Sequence, residues 1–429
     1  MNSLSYVLLR ERRARAFLLT YAQSSLGTGA AMVALMVVAY EREASPWAIT
    51  AVLLAYDLPP GFLGPLAGAA VDRVSRRRCA IVADHVRGGA FVGIALVLSL
   101  EPTIALAFVA GAGHALWSPA ALASLPSIVE REHLPAATSV YGGITDTGRT
   151  IGPALAAALF PLIGGDGVMM ANGITFAISA VVLSMLSFGG SVAAEKDQRQ
   201  PFMRDVVEGL RGTTRVPVAR VVVIASTAVI LFASMVNVAE LPLANDLGVG
   251  ASGFALLLTG QGVGVVLGSL SGARRGGLRE YGARYVAGVL AVAAGLIGLS
   301  LLPWFAAALL AFAVFGVGNG LVVVHERLIF QFALPERMMG RAFALLDALG
   351  AWAFAFAYLV AGATVSALGA RGAIAVAAAG VLATTLYALV AFGRADDPRS
   401  PPGDGGESPL PPGEQAAGVG ARSAVGPPA

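Results

Sequence analysis

Cysteine occurs once in 429 residues, at Cys79, which excludes an internal disulfide and argues against a multi-cysteine metal site. Charge is also scarce. Asp, Glu, Lys and Arg make up 13% of the chain, against about a quarter in ordinary soluble proteins. No P-loop pattern occurs and no polar stretch is large enough for a nucleotide-binding domain, so an ion gradient or the substrate's own gradient must supply energy. No span holds paired aspartates or a His-Glu-x-x-His cluster, which disfavours an intramembrane enzyme, and no cofactor or metal is expected. The start does not read as a signal peptide: Arg10, Arg12, Arg13 and Arg15 lead into a full-length apolar run, with many more behind it.

What the chain has is apolar residues and glycine. It is 56% hydrophobic with 53 glycines, and its mean hydropathy is +0.74. Apolar runs of about twenty residues recur from end to end, each long enough for a bilayer core of about 30 Å. The expected class is an all-α polytopic membrane protein with twelve transmembrane helices, near 16–40, 47–71, 79–99, 103–129, 136–163, 167–188, 219–243, 250–273, 283–302, 305–333, 339–366 and 371–393. One connection is long. It contains Pro201 and then Phe202, Val206, Val207 and Leu210 at amphipathic spacing, which predicts a helix lying along the membrane surface. The tail after Arg394 is rich in Pro, Gly and Ser and reads as disordered.

Charge placement gives an orientation. With the N-terminus inside, the inner connections receive Arg73–Arg78, Arg131, Lys196–Arg215, Arg274–Arg284 and Arg337–Arg341, whereas the outer ones receive only Arg42 and Arg371. That asymmetry predicts a multi-pass protein of the cell membrane with both termini cytoplasmic. It also removes nucleic acid as a partner for the basic stretch "GPLAGAAVDRVSRRR" at 64–78, which falls at the inner end of the second span.

An internal repeat is visible. Gly64-x-Leu66-x-Gly68-Ala69 recurs as Gly268-x-Leu270-x-Gly272-Ala273, each before a basic loop, and Gly113 and Leu116 match Gly318 and Leu321. The expected organisation is a six-helix half at 1–188, a linker with its amphipathic helix at 189–218, a second six-helix half at 219–393 and a tail at 394–429. Parallel halves with a substrate site between them are an architecture of secondary transporters.

These features resemble the major facilitator superfamily over essentially the whole ordered length. Gly64, Gly68, Asp72, Arg73, Arg76 and Arg77 occupy the positions of that family's loop two–three signature, with Ser75 where the usual pattern has glycine. "GRTIGPALAAAL", carrying Gly148, Arg149, Gly152 and Pro153, is similar to its antiporter motif, with Ala156 or Ala157 where a second glycine is usual. With "ADHVRG" in the third span, the chain looks most like the macrolide and enterobactin exporter branch of drug:proton antiporters. The resemblance implies that Asp72 meets the N-terminus of the eleventh helix near Gly340 and latches the two halves, a contact that the helix dipole favours. The alternative is that Asp72 and its arginines anchor a loop and set topology. Gly276 stands at the matching place in the second half, so such a latch is one-sided.

Ionisable residues within spans are functional candidates by default. Asp84 with Arg87, and Asp146 with Arg149, are spaced to pair along a helix face. Glu240, just before Pro242, is expected to be wetted near the outer end, and His114 to be a packing histidine. His325, Glu326 and Arg327 fan around their helix, so at least one should face a cavity or the cytoplasm. Asp57 in "LLAYDLPPG" stands mid-span with no basic residue within a turn, which suits a reversible proton carrier, and Pro59 and Pro60 loosen the helix beside it. Asp146 and Glu326 are the other candidate carriers, and the first span carries no acid. Tyr21, Gln23, Met32, Trp117 and Phe354 are candidates to line a substrate cavity.

The function expected from all this is secondary active export of a hydrophobic or amphipathic small molecule by proton antiport through alternating access. Its partners would be substrate, protons and the bilayer, and the protein is expected to act as a monomer. A nutrient or metabolite uniporter or symporter is the alternative on the same fold. A transport-inactive receptor or scaffold is a third reading, opposed by the retained motifs.

Overall fold

The computed structural model describes residues 11–186, 212–273 and 275–395, with the side chains of Pro65, Asp72, Ala273, Glu336, Arg337 and Ala395 outside the description. The amphipathic helix expected after Pro201 and the tail beyond residue 395 lie outside the described residues, as does most of the 189–218 linker. No strand occurs among the described residues. The helices are α1 (Arg12–Arg42), α2 (Pro46–Arg73), α3 (Arg76–Leu96), α4 (Leu100–Ile128), the run Leu134–Met185, α7 in two segments, α8 (Gly250–Ser269), α9 (Leu278–Leu301), α10 (Phe305–Ala333) and the run Glu336–Ala395.

Two of these runs, of 52 and 60 residues, cannot cross a bilayer once. At 1.5 Å per residue they would reach about 80–90 Å, against a core of about 30 Å. Each folds back at a glycine in the left-handed region, Gly164 (φ 66°) and Gly369 (φ 75°). A side chain is strained there and glycine is not. The runs therefore supply α5 (134–163) with α6 (165–185), and α11 (336–368) with α12 (370–395), which gives twelve spans among the described residues.

The two hairpin glycines are 205 residues apart, and the packing repeats at that spacing. Gly111 of α4 lies on the Tyr56 carbonyl of α2, and Gly316 of α10 on the Gln261 carbonyl of α8. Gly113 sits at Ala83 and Arg87 of α3, and Gly318 at Gly288 and Val292 of α9, again 205 apart. Small residues let these backbones touch, which holds helices together in lipid, where apolar side chains gain little by burial. The six-helix pseudo-repeat is thus carried by contacts.

The seventh span departs from the single helix expected at 219–243. It breaks at Ser234–Met235 into α7a (Pro217–Ala233) and α7b (Val236–Asp246). At the break the N–H groups of Met235, Asn237 and Val238 bond to carbonyls three residues back, a tightened turn.

The described chain starts and ends on one face of the bundle, here the terminal face; the other is the far face. The halves touch along α2 with α11, α2 with α7b, and α5 with α8. Towards the far face α2 and α11 are tight, with a Cβ on Gly362 falling 2.7 Å from Thr50 Oγ1 and 3.0 Å from the Trp47 ring. Towards the terminal face they part. A Cβ on Gly61, Gly64, Gly68, Gly142, Gly143 or Gly340 would meet no described atom within 4 Å. Leu66 is 67% exposed. The molecule is closed at the far face and open at the terminal face.

Candidate functional site

The antiporter-like segment is first a packing device. Ser25 and Gly29, one turn apart on α1, interlock with Gly148 and Gly152 on α5. A Cβ on Gly148 would lie 2.7 Å from the Ser25 carbonyl oxygen, and one on Gly152 would lie 2.5 Å from Gly29 Cα. Ala156 continues the same face and is buried. On the opposite face of the helix, two residues from each of those glycines, Thr150 meets Gly262 of α8, so α5 joins both halves at this level. Gly29 was not singled out from sequence; its small-x-x-x-small spacing to Ser25 was the available signal.

Asp57 lies on the inner surface where the halves meet. It is solvent-exposed on the open side, and its Oδ2 accepts a hydrogen bond from Tyr358 Oη of α11 at 3.0 Å. Tyr358 is 3% exposed, and its hydroxyl is 3.5 Å from Asn237 Nδ2 at the start of α7b. Thr50 Oγ1, two turns from Asp57 on α2, donates to the Tyr358 carbonyl at 3.2 Å. One tyrosine thus ties α2 of the first half to α7b and α11 of the second. Thr50, Asn237 and Tyr358 were missed in the sequence, although a hydroxyl placed mid-span must find a partner. The guanidinium of Arg149 on α5 is near enough for its charge to act on Asp57. Arg149 and Asp146 are both exposed and, contrary to the expected i,i+3 pairing, form no ion pair among the described residues. Once α5 faces an open space, both side chains are hydrated and gain little by pairing.

A second acidic group belongs to the second half alone. Glu326 of α10 reaches Ser226 of α7a, whose hydroxyl is 2.8 Å from Tyr285 Oη of α9. Arg327 and Asp347 are the charged neighbours of Glu326 and are themselves exposed. His325 points inward, fully buried against Tyr281, with Nδ1 at 2.8 Å from the Leu321 carbonyl.

Three sequence expectations are corrected here. Trp117, expected at a cavity, is 1% exposed and stacks on Phe17 and Tyr21 inside the first half. Tyr21 belongs to the same stack, with Tyr141 at 4.4 Å and Thr145 Oγ1 at 2.7 Å. These rings are occupied by the buried Arg87, which lies between Trp117 and Phe176 at 4.6 and 4.3 Å and pairs with Asp84. Glu240, expected to be wetted, is 2% exposed. Of the other cavity candidates, Gln23 donates to the Thr175 carbonyl at 2.7 Å, and Met32 is half-buried against the core. Phe354 is partly exposed one turn before Tyr358, with ring centroids 6.1 Å apart.

The loop two–three arginines serve their own half. Arg76 donates to the Ala123 carbonyl of α4 at 2.6 Å, and Arg77 to Leu183 and Ser184 at the end of α6. Cations at helix C-termini are favoured by the dipole. Ser75, where the usual pattern has glycine, caps α3 by accepting from the Arg78 N–H. Arg73 is exposed, and Gly64 and Gly68 stand clear of α11. The Asp72 side chain, and with it the expected latch, lies outside the described residues.

Comparison with known proteins agrees with this architecture. The family model described as Major Facilitator Superfamily matches residues 17–353. The chain is 25% identical over 356 residues to the multidrug efflux pump Tap of Mycolicibacterium fortuitum, covering 80% of this chain and 87% of that protein. It is 24% identical over 336 residues to the uncharacterized MFS-type transporter YfiS of Bacillus subtilis (strain 168), covering 76% and 80%. Among solved structures, the nucleoside transporter NupG superposes with a TM-score of 0.75 at 10% identity, over 89% of this chain and 99% of that one. A bacterial homologue of the human lysosomal transporter Spinster, inward-facing and unoccupied, gives 0.63 at 14% identity, over 92% and 96%. At such identities the likeness is one of fold.

Proposed function

The chain belongs to the Major Facilitator Superfamily and is a multi-pass membrane transporter, and we propose that it exports hydrophobic or amphipathic small molecules in exchange for protons, with Asp57 as the proton carrier. The observation that carries this reading is the Tyr358–Asp57 hydrogen bond, where a titratable group that faces the open space also holds the two halves together. A hydrogen bond to a carboxylate is stronger than one to a neutral acid, by about 1–2 kcal/mol. Loss of the proton from Asp57 to the open side therefore tightens the far-face closure, and its return loosens it. Arg149 offers a second, competing charge for the same carboxylate, so a substrate lodged between them alters the balance. The multidrug efflux pump among its relatives supports export of drug-like compounds.

The test is transport by the purified protein in proteoliposomes, with ethidium as the amphipathic probe. Asp57→Asn should abolish uphill ethidium movement driven by a pH gradient while leaving ethidium counterflow intact. Asp146→Asn and Glu326→Gln, the other acids near the open space, should retain gradient-driven movement. Intact gradient-driven transport in Asp57→Asn would remove Asp57 from the proton path.

A further inference from the structure

Among the described residues Glu240 is the buried acid that neither an ion pair nor the transport scheme uses. It sits on α7b just past the break at Ser234–Met235, is 2% exposed, and its Oε2 has no hydrogen-bond partner among the described residues. No ion pair is formed with it, and no charged group acts on it. The elements packed against α7b are α8, α2 and the α11–α12 hairpin. Helix α8 contains no titratable residue. From α2 the facing group is Asp57, already engaged by Tyr358, and from α11 it is Tyr358 itself, whose field includes Glu240. Arg371 of α12 is committed to the Ser300 and Leu302 carbonyls, and Asp246 at the end of α7b is exposed.

An ionised carboxylate in that position would be a bare charge inside the membrane, which is costly unless paired. A neutral carboxyl group avoids that cost. Helix α2, which belongs to the other half, packs against α7b, and Glu240 lies near Tyr358, whose hydroxyl is bonded to Asp57 of α2. When the far face opens, α2 withdraws with the first half, and Glu240 is left beside the water that enters.

We infer that Glu240 is a second proton-binding site, which must take up a proton from the far side for that face to close. The closed far face and the protonated Glu240 are then linked states. Acid on the far side favours closure, and alkali favours opening. The site differs in kind from Asp57, which exchanges its proton with the terminal face while the far face is shut. It biases the gate and does not carry a proton across, so it stands beside the Asp57 assignment and does not rest on it.

The experiment uses the full chain in lipid nanodiscs without substrate, with Cys79→Ser as background. Spin labels are placed at Leu98→Cys and Leu301→Cys, exposed far-face positions in the first and second halves. Pulsed electron paramagnetic resonance then reads the distance between halves from pH 5 to pH 9. The parent protein should pass from a short to a long distance as pH rises. Glu240→Gln, permanently neutral, should lose that lengthening and show only the opposite response of Asp57, a distance that shortens as pH rises, and Asp57→Asn should still lengthen. If Glu240→Gln does not purify as a single species, Glu240→Leu must likewise lose the response. A parent with no pH dependence, or a Glu240 variant that follows the parental curve, overturns the inference. A shift lost only in Asp57→Asn also overturns it, while leaving proton coupling at Asp57 in place. Failure of gradient-driven export with the Glu240-dependent shift intact would instead count against the transport reading alone.

Discussion

At the scale of single residues, the chain keeps two kinds of acid within its spans apart. Asp84 and Arg87 form a closed unit inside the first half, with Ser179 donating to Asp84 and two aromatic rings enclosing the guanidinium. The equivalent positions 205 residues on are Val289 and Val292, so the fold does not require this pair, and its place is structural. Removing one partner of a buried pair leaves an uncompensated charge, at a cost of about 3–5 kcal/mol, whereas replacing both by apolar residues is often near neutral. Arg87→Met alone should therefore lower the apparent melting temperature in detergent strongly, and Arg87→Met combined with Asp84→Leu should recover most of the loss. Equal damage in single and double variants would show that the guanidinium matters for its packing between Trp117 and Phe176 and not for its charge. Asp57 and Glu240 are of the other kind, acids with no salt-bridge partner among the described residues, on helices where the two halves meet. The sequence marked Asp57 because no arginine shares its helix turn. It could not mark Tyr358, which becomes a partner only when two helices 301 residues apart in the chain are brought together.

At the scale of helices, what was legible depended on whether the signal was local. Span positions follow from apolar length, and the observed helices agree with the expected ones to within a few residues. The break in α7 carries no glycine or proline at Ser234–Met235, so nothing in the local sequence announced it, and Glu240 was expected near water from its place before Pro242 at the outer end. The antiporter-like motif was legible as a pattern, but its contact with Gly29 was not, because a glycine-rich chain offers many such pairings. That contact makes a stability prediction. Gly152→Ala puts a methyl group 2.5 Å from Gly29 Cα, so α1 and α5 must separate, at a cost of about 1–3 kcal/mol. Gly64→Ala meets no described atom within 4 Å and gains helix propensity, so its melting temperature should be unchanged or slightly raised. If Gly64→Ala nonetheless slows ethidium transport, α2 and α11 meet at that level in another part of the cycle. If it destabilises as much as Gly152→Ala, the packing difference drawn between the two ends of α2 is wrong.

At the scale of the whole molecule, function depends on which compartment the open face meets. The far face has two basic residues among those described, and each is used up locally. Arg42 is held by Asp166 at 3.0 Å and the Ile94 carbonyl at 2.7 Å, and Arg371 by the Leu302 carbonyl at 2.9 Å. Both sit at the C-terminal ends of equivalent helices, α3 and α9, where cations are stabilised by the dipole. Exposed Arg73, Arg78, Arg275 and Arg279 crowd the terminal face instead. The positive-inside rule predicts that this face lies in the cytoplasm, and on that reading the described state opens inward, as drug loading for export requires. A fluorescent protein that matures only in the cytoplasm, fused after Ala391, should therefore be bright, and the same fusion at Asp166 should be dark. A bright fusion at Asp166 with a dark one at Ala391 would turn the molecule over. The open space would then face outward, Asp57 would exchange protons with the exterior in this state, and the geometry would favour uptake over export.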